Sequence, residues 1–203
     1  MQAPQWIRLA EYDPVDKGKT LNLVITIGGL HGTGKSTYGA ALADYFSLRH
    51  VSSGKIFRSI ALERGMSIEE LSKSAEEGFD LDRLIDDATK EEARKGSVVV
   101  DGLLAGWMAQ DLSTVKILLS APESVRMERL SKRDNSTIEE TKRMTLLREE
   151  SERTRFKRYY RINIDDDSIY DIIINTALLP IDSNLKVLKT LIKECIKTKN
   201  CRK

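Results

Sequence analysis

Short apolar runs alternate along the chain with longer stretches in which apolar positions recur every three to four residues. Residues 21–27 form the first run, apolar and β-branched and closed by Gly28-Gly29, as in a strand buried on both faces. Similar runs at 98–100, 115–119 and 172–174 end at Asp101, Ser120 and Asn175-Thr176, and 50–52 adds a short fifth. Helical spacing follows at 38–48, at 56–63 behind Gly54, and at 185–197. Ser67 with Glu70 has the spacing of a capping box, and the device recurs at Ser120 with Glu123 and Thr137 with Glu140. Strands alternating with helices predict an α/β fold of three layers, with a parallel sheet that binds ligands at the carboxyl ends of its strands.

Between the first strand and the first helix stands Gly29-Leu30-His31-Gly32-Thr33-Gly34-Lys35-Ser36, which satisfies G-x-x-x-x-G-K-[ST] at every fixed position. Glycines let such a loop wrap a phosphate closely, so that successive backbone N–H groups point inward and the following helix adds its positive end. Lys35 then bridges the β- and γ-phosphates of a nucleoside triphosphate, and the Ser36 hydroxyl meets Mg²⁺. His31 fills a variable slot, where its type is tolerated rather than catalytic. Asp101, ending an apolar strand, is placed to order Mg²⁺ through its waters. Arg58, one turn into the helix after Val51-Ser52-Ser53-Gly54, can reach a bound phosphate.

Composition narrows the class. The 203 residues are 40% hydrophobic and 32% charged, with 33 basic against 31 acidic side chains. A chain so balanced is no bulk-charge binder of nucleic acid, and its apolar stretches are too short to span a membrane. Cys195 and Cys201 have no zinc-ligand spacing and read as free thiols, and residues 1–20 lack the apolar core of a secretory signal. The expectation is a soluble, cytoplasmic monomer. Residues 1–20 form an extension, 21–180 the domain, and 181–203 a C-terminal helix with a basic tail.

Nine of the 16 arginines lie between Arg126 and Arg161. Residues 148–155, Arg-Glu-Glu-Ser-Glu-Arg-Thr-Arg, offer no apolar side chain to a core. Two readings are open: a solvated helix tied by pairs such as Glu149 with Arg153, or a lid over about 130–160 that carries positive charge to a transferring phosphoryl group. No nucleophile–histidine–acid set is evident. A nucleoside monophosphate needs none, because its phosphate oxygens are already anionic near neutral pH and positioning suffices.

From about Asn22 to Thr176 the chain resembles the nucleoside monophosphate kinases, most closely the archaeal-type cytidylate kinases. The likeness lies in Ile25-Thr26-Ile27-Gly28-Gly29, in the segment from His50 to Arg58, in Leu104-Ala105-Gly106-Trp107-Met108 and in Arg148-Glu149-Glu150-Ser151-Glu152 with Arg155 and Phe156. It continues in the segment from Ile164 to Asp171 and in Ile174-Asn175-Thr176. The resemblance implies a P-loop NTPase fold with a five-stranded parallel sheet, a monophosphate-binding helical region and a lid. It also implies transfer of the γ-phosphate of ATP to CMP or dCMP.

On that likeness Gly28, Gly29, Leu30, His31, Gly32, Thr33, Gly34, Lys35, Ser36 and Thr37 hold ATP phosphates, and Ser36 and Asp101 address Mg²⁺. Ser53, Arg58, Asp101 and Gly102 face the monophosphate. Arg129 meets ATP, Arg133, Arg148 and Arg155 join Lys35 in transfer, and Asn175 and Thr176 pass the adenine. Leu103 stands where relatives often carry an arginine, and Asn163 where an aspartate is usual. Two other readings remain open: a P-loop kinase acting on AMP or UMP, and a nucleotide-binding switch without enzymatic activity.

Overall fold

The computed structural model describes residues 22–200 apart from Phe79. The predicted N-terminal extension, Leu21, Cys201 and the end of the basic tail lie outside the described residues. Five strands, β1 (Val24–Gly28), β2 (Arg49–Ser52), β3 (Val98–Asp101), β4 (Val115–Ser120) and β5 (Ile172–Asn175), form one parallel sheet in the order β2-β3-β1-β4-β5. β1, β3, β4 and β5 fall where apolar runs predict them, and β2 falls on the short segment 50–52 expected as a fifth strand.

Successive side chains of the central strands leave the sheet on opposite faces. Ile25, Ile27, Val99 and Ile117 pack toward Leu42 of α1 (Lys35–Phe46) and toward Leu188 and Ile192 of α8 (Ile181–Asn200). Val24, Val98 and Val100 pack toward Ala93 of α4 (Asp80–Arg94) and Ala105 of α5 (Ala105–Met108). The sheet is thus the middle layer of three. A separate apolar cluster joins Phe57 and Ile60 of α2 (Ser53–Glu63), Leu71 and Ala75 of α3 (Ile68–Glu77), and Leu81 and Ile85 of α4. It makes a helical region beside the sheet. Two further helices, α6 (Glu123–Asp134) and α7 (Ile138–Tyr160), pack on each other, and α7 also packs on α3. Among the described residues no helix is long and apolar enough to cross a membrane.

Several local expectations are corrected. The Ser67–Glu70 capping box is present, with Glu70 N to Ser67 Oγ at 3.1 Å and Ser67 N to Glu70 Oε2 at 2.7 Å. At Thr137 only half of it forms: Thr137 Oγ1 accepts from Glu140 N, while the Glu140 carboxylate binds Arg143. At Ser120 there is none, because Ser120 is the last residue of β4, registered against Asn175, and Pro122 caps α6. The C-terminal helix is longer than predicted, starting at Ile181 rather than Leu185. The α4 helix was not expected. Its inward stripe includes buried Asp82 and Thr89, so polar residues break the apolar period.

The solvated reading of residues 148–155 is also corrected. Glu149, Glu152 and Arg155 of α7 are buried, and Glu149 pairs with Arg126 rather than with Arg153. Arg153 instead pairs with Glu150 and Asp165. The helix docks through charge, so a scan for apolar residues finds no docking face.

Candidate active site

The carboxyl ends of the strands bring the chemistry together. Ile27 and Ser52 are both registered against Asp101, which aligns the turn after β1 with the ends of β2 and β3. In that turn Gly29 (φ 135°), Gly32 (φ 80°) and Gly34 (φ 97°) adopt left-handed backbone conformations. A Cβ on Gly29 would lie 2.3 Å from the Leu119 carbonyl oxygen, and one on Gly32 2.6 Å from that of Arg126. Those neighbours are backbone and cannot yield, so glycine is required at both positions.

Lys35 opens α1 without a side-chain cap at Gly34, leaving that helix N-terminus to an anion. Its Nζ donates to the carbonyls of Gly29 at 2.6 Å and Leu30 at 3.0 Å. Burial pushes the ammonium down to about 8, against the opposing pull of Asp101 and Glu152. Ser36 Oγ donates to Asp101 Oδ1 at 3.0 Å, as does Ser52 Oγ at 3.0 Å. His50 Nε2 lies 2.7 Å from Asp101 Oδ2. Asp101 is therefore oriented on both oxygens, and His50 and Ser52 belong to the site although the sequence marked neither. Gly39 explains the close approach: a Cβ there would meet His50 Nε2 at 2.7 Å.

In front of this row opens a cleft of about 800 Å³, lined by the glycine turn, α2, α3, α4, α6 and α7. Gly32, Gly34, Lys35, Ser36, Thr37, Ser53, Arg58, Asp101, Gly102, Arg129, Arg133, Arg148, Arg155 and His31 all border it. Arg58, Arg133 and Arg148 are close enough that, after burial, their mutual repulsion depresses the Arg58 guanidinium. A concentration of positive charge suits a polyanion. Ser53 Oγ is 3.0 Å from Thr89 Oγ1, and a Cβ on Gly102 would lie 2.4 Å from Ser53 Oγ. Arg148 stacks over the Phe57 ring at 4.6 Å and donates its Nε to Glu152 Oε1 at 2.9 Å. Arg133 forks onto neighbouring Asp134.

Other predicted residues sit elsewhere. Gly28, Gly29, Leu30 and Thr33 form the body of the turn behind the cleft wall, with Thr33 Oγ1 bonded to the Leu30 carbonyl. Thr176 is buried, and its hydroxyl lies 3.0 Å from the Thr33 carbonyl and 3.1 Å from that of Ser120, either of which can accept its one proton. Arg129 reaches Thr176 Oγ1 at 2.9 Å and O at 3.0 Å, so it ties the end of β5 to the turn. Asn175 turns outward and accepts from Ala177 N. Sequence reasoning gave no site role to six further carboxylates that line the cleft, Glu69, Glu76, Asp82, Asp86, Asp134 and Glu152. The only hint for Asp82 and Asp86 was an i,i+4 spacing inside an unrecognised helix.

Residues 24–178 match the model of the cytidylate kinase-like family. The chain is 42% identical over 175 residues to the cytidylate kinase of Staphylothermus marinus, covering 86% of this chain and 99% of that one. It is 42% identical over 182 residues to the cytidylate kinase of Methanopyrus kandleri, covering 85% and 94%. A gluconokinase structure from Sinorhizobium meliloti superposes with a TM-score of 0.60 at 14% identity, covering 91% of this chain and 99% of that one, a likeness of fold. A strand, a glycine turn and a helix that present Lys35 and Ser36 to an arginine-rich cleft fit that match, and the chain belongs to the cytidylate kinase-like family.

Proposed function

We propose that the chain transfers the γ-phosphoryl group of ATP to CMP or dCMP. The carrying observation is one cleft in which Lys35 and Ser36 stand on one wall while Arg58 and Arg148 enter from the others. ATP phosphates lie against the Gly28–Ser36 turn, where backbone N–H groups and Lys35 meet their charge. The monophosphate lies toward α2, with Arg58 and Ser53 on its phosphate. Its oxygen attacks without a general base, being ionised already, so the protein's task is alignment and charge neutralisation.

Mg²⁺ suits the donors at hand. Ser36 Oγ and Asp101 Oδ1, 3.0 Å apart, are hard oxygen ligands, while among the described residues no three His, Cys, Asp or Glu side chains gather as a protein cage. Mg²⁺ characteristically takes one or two protein oxygens and completes its shell with water and phosphate. When bound, the ion would supply positive charge that offsets the charge of the phosphates during transfer. Ser36 and Asp101 would hold it, with His50 and Ser52 fixing Asp101. Arg133, Arg148 and Arg155 act as the transfer arginines of a lid over about 130–160.

The test is ADP formation from ATP and Mg²⁺ with CMP, dCMP, UMP, AMP and GMP supplied separately, beside a blank without acceptor. Turnover with CMP and dCMP alone is expected. Turnover mainly with AMP or UMP would overturn the substrate while keeping the mechanism. No turnover above the blank would overturn the kinase reading.

A further inference from the structure

His31 was expected to be a tolerated filler of the glycine turn, yet α6 and α7 grip it at three points. Its backbone N donates to Glu149 Oε1 at 3.1 Å, and its carbonyl accepts from Arg126 Nη1 at 2.8 Å. Its ring Nε2 lies 2.7 Å from Glu152 Oε2. Arg126 and Glu149 close the frame with their own contact of 2.6 Å, both buried. The phosphate-binding turn is therefore bolted to the helix that carries Arg148.

Glu152 is the hinge of this arrangement. One carboxylate oxygen faces His31, and the other accepts from Arg148 Nε at 2.9 Å. Arg148 lies one helical turn earlier on α7, and its guanidinium carbon lies over the Phe57 ring. With Nε engaged, the two Nη groups remain for a ligand, and they border the same cleft as Lys35. A guanidinium fork held along one edge keeps its plane and reach, which a freely rotating side chain does not. Despite its burial, Arg148 and the hydrogen bond from His31 hold the Glu152 carboxyl far below the usual carboxylate range. It stays ionised, and His31 serves as donor through Nε2–H in its neutral form. Burial, the largest influence on His31, favours that neutral form.

We propose that Glu152 is a positioning residue: anchored to the phosphate-binding turn by His31, it sets the distance and plane of Arg148 relative to the transferring phosphoryl group. This rests on the kinase reading above. It gives His31 a reason to occupy its slot, since the ring hydrogen-bonds Glu152 directly. Arg148 is thereby referenced to the phosphates themselves and not merely to the helix it stands on.

The test is a double-mutant cycle in the full-length chain, with kcat and KM for ATP and CMP measured for Glu152→Gln, Arg148→Ala and the pair. Glu152→Gln is expected to lower kcat about 10- to 100-fold while both KM values stay within about threefold, because a misplaced group costs mainly in the transition state. In the Arg148→Ala background the same change should have almost no further effect on kcat. If Glu152→Gln lowers kcat equally in both backgrounds, or acts only through KM or thermal stability, the positioning role is overturned. Should the Glu152 variant fail to fold, His31 decides. His31→Leu, which lacks a donor, is expected to lose about tenfold more kcat than His31→Gln, which keeps an N–H in reach. Equal losses would overturn the proposal. A wild-type chain that fails to phosphorylate any nucleotide would overturn the kinase reading itself, a result separate from every arm of the cycle.

Discussion

Arg155 and Asp82 form a closed pair between α7 and α4, Nε to Oδ2 at 2.8 Å and Nη2 to Oδ1 at 3.3 Å. Both side chains are about 95% buried. Burial raises the Asp82 carboxyl, and the guanidinium opposes that rise. Removing one partner of a buried pair leaves the other charge without compensation. Arg155→Ala should therefore destabilise the chain by about 3 kcal/mol as well as lower kcat. Adding Asp82→Asn should restore most of the stability and none of the turnover. Urea unfolding beside kcat separates the two effects; recovery of both in the double variant would make Arg155 a purely structural residue.

Asp101 is 1% exposed and accepts from Ser36 and Ser52 on one oxygen, with His50 on the other. Asp101→Asn preserves the shape but turns an amide donor toward one of these partners. The fold should persist, and the Mg²⁺ concentration for half-maximal activity should rise about 10- to 100-fold. A titration of activity against free Mg²⁺ at fixed ATP checks this. An unchanged midpoint would remove Asp101 from the metal site.

The parts of this molecule that local rules govern were legible in the sequence. Strands buried on both faces must be continuous apolar runs, and a phosphate-binding turn must have its glycines, so β1, β3 and the Gly29–Ser36 turn could be read directly. β2 (Arg-His-Val-Ser) and the half-exposed β5 gave a weaker signal. What escaped depends on distant pairing. His50 and Asp101 are 51 positions apart, Asp82 and Arg155 73, and His31 and Glu152 121. A buried charge has the same letter as a solvated one. Its partner decides which it is, and α4 with its Asp82, and the docking face of α7 with its Glu149, Glu152 and Arg155, were hidden for that reason. Ser120 shows the converse: its spacing to Glu123 fits a cap, but the β4–β5 ladder had already claimed it.

Lys35 makes the pH dependence of ATP capture specific. Burial lowers its ammonium to about 8 in the free enzyme. The value of kcat/KM for ATP should therefore fall above pH 8, by about tenfold per unit once Lys35 is neutral. Bound phosphates favour the charged ammonium, so kcat should hold to higher pH. Stability moves the other way: the unfolded chain binds this proton more tightly, so between about 8 and 10.5 its loss makes the fold more stable as pH rises. Lys35→Met should abolish that rise in thermal midpoint. A flat kcat/KM profile through pH 9 would contradict the burial of this charge.

Asp86 reverses that sign. Its Oδ2 accepts from Tyr160 Oη at 2.5 Å, but burial, reinforced by Asp82 and Asp87, pushes the carboxyl up to about 7. A raised carboxyl binds its proton more tightly in the folded chain. The stability this contributes is complete below the ordinary aspartate range and is lost as pH rises through about 7. Asp86→Asn fixes the side chain in a neutral state and removes the dependence. The variant should gain on the wild type as pH rises from 4 to 7, by on the order of 4 kcal/mol, and keep that advantage above. Thermal unfolding of both proteins at pH 5 and pH 8 is the measurement. An equal difference in midpoint at the two values would mean that Asp86 is already ionised in the folded chain at pH 5. The cleft wall beside Tyr160 would then carry a full negative charge, a poor surface for a nucleotide that arrives as an anion.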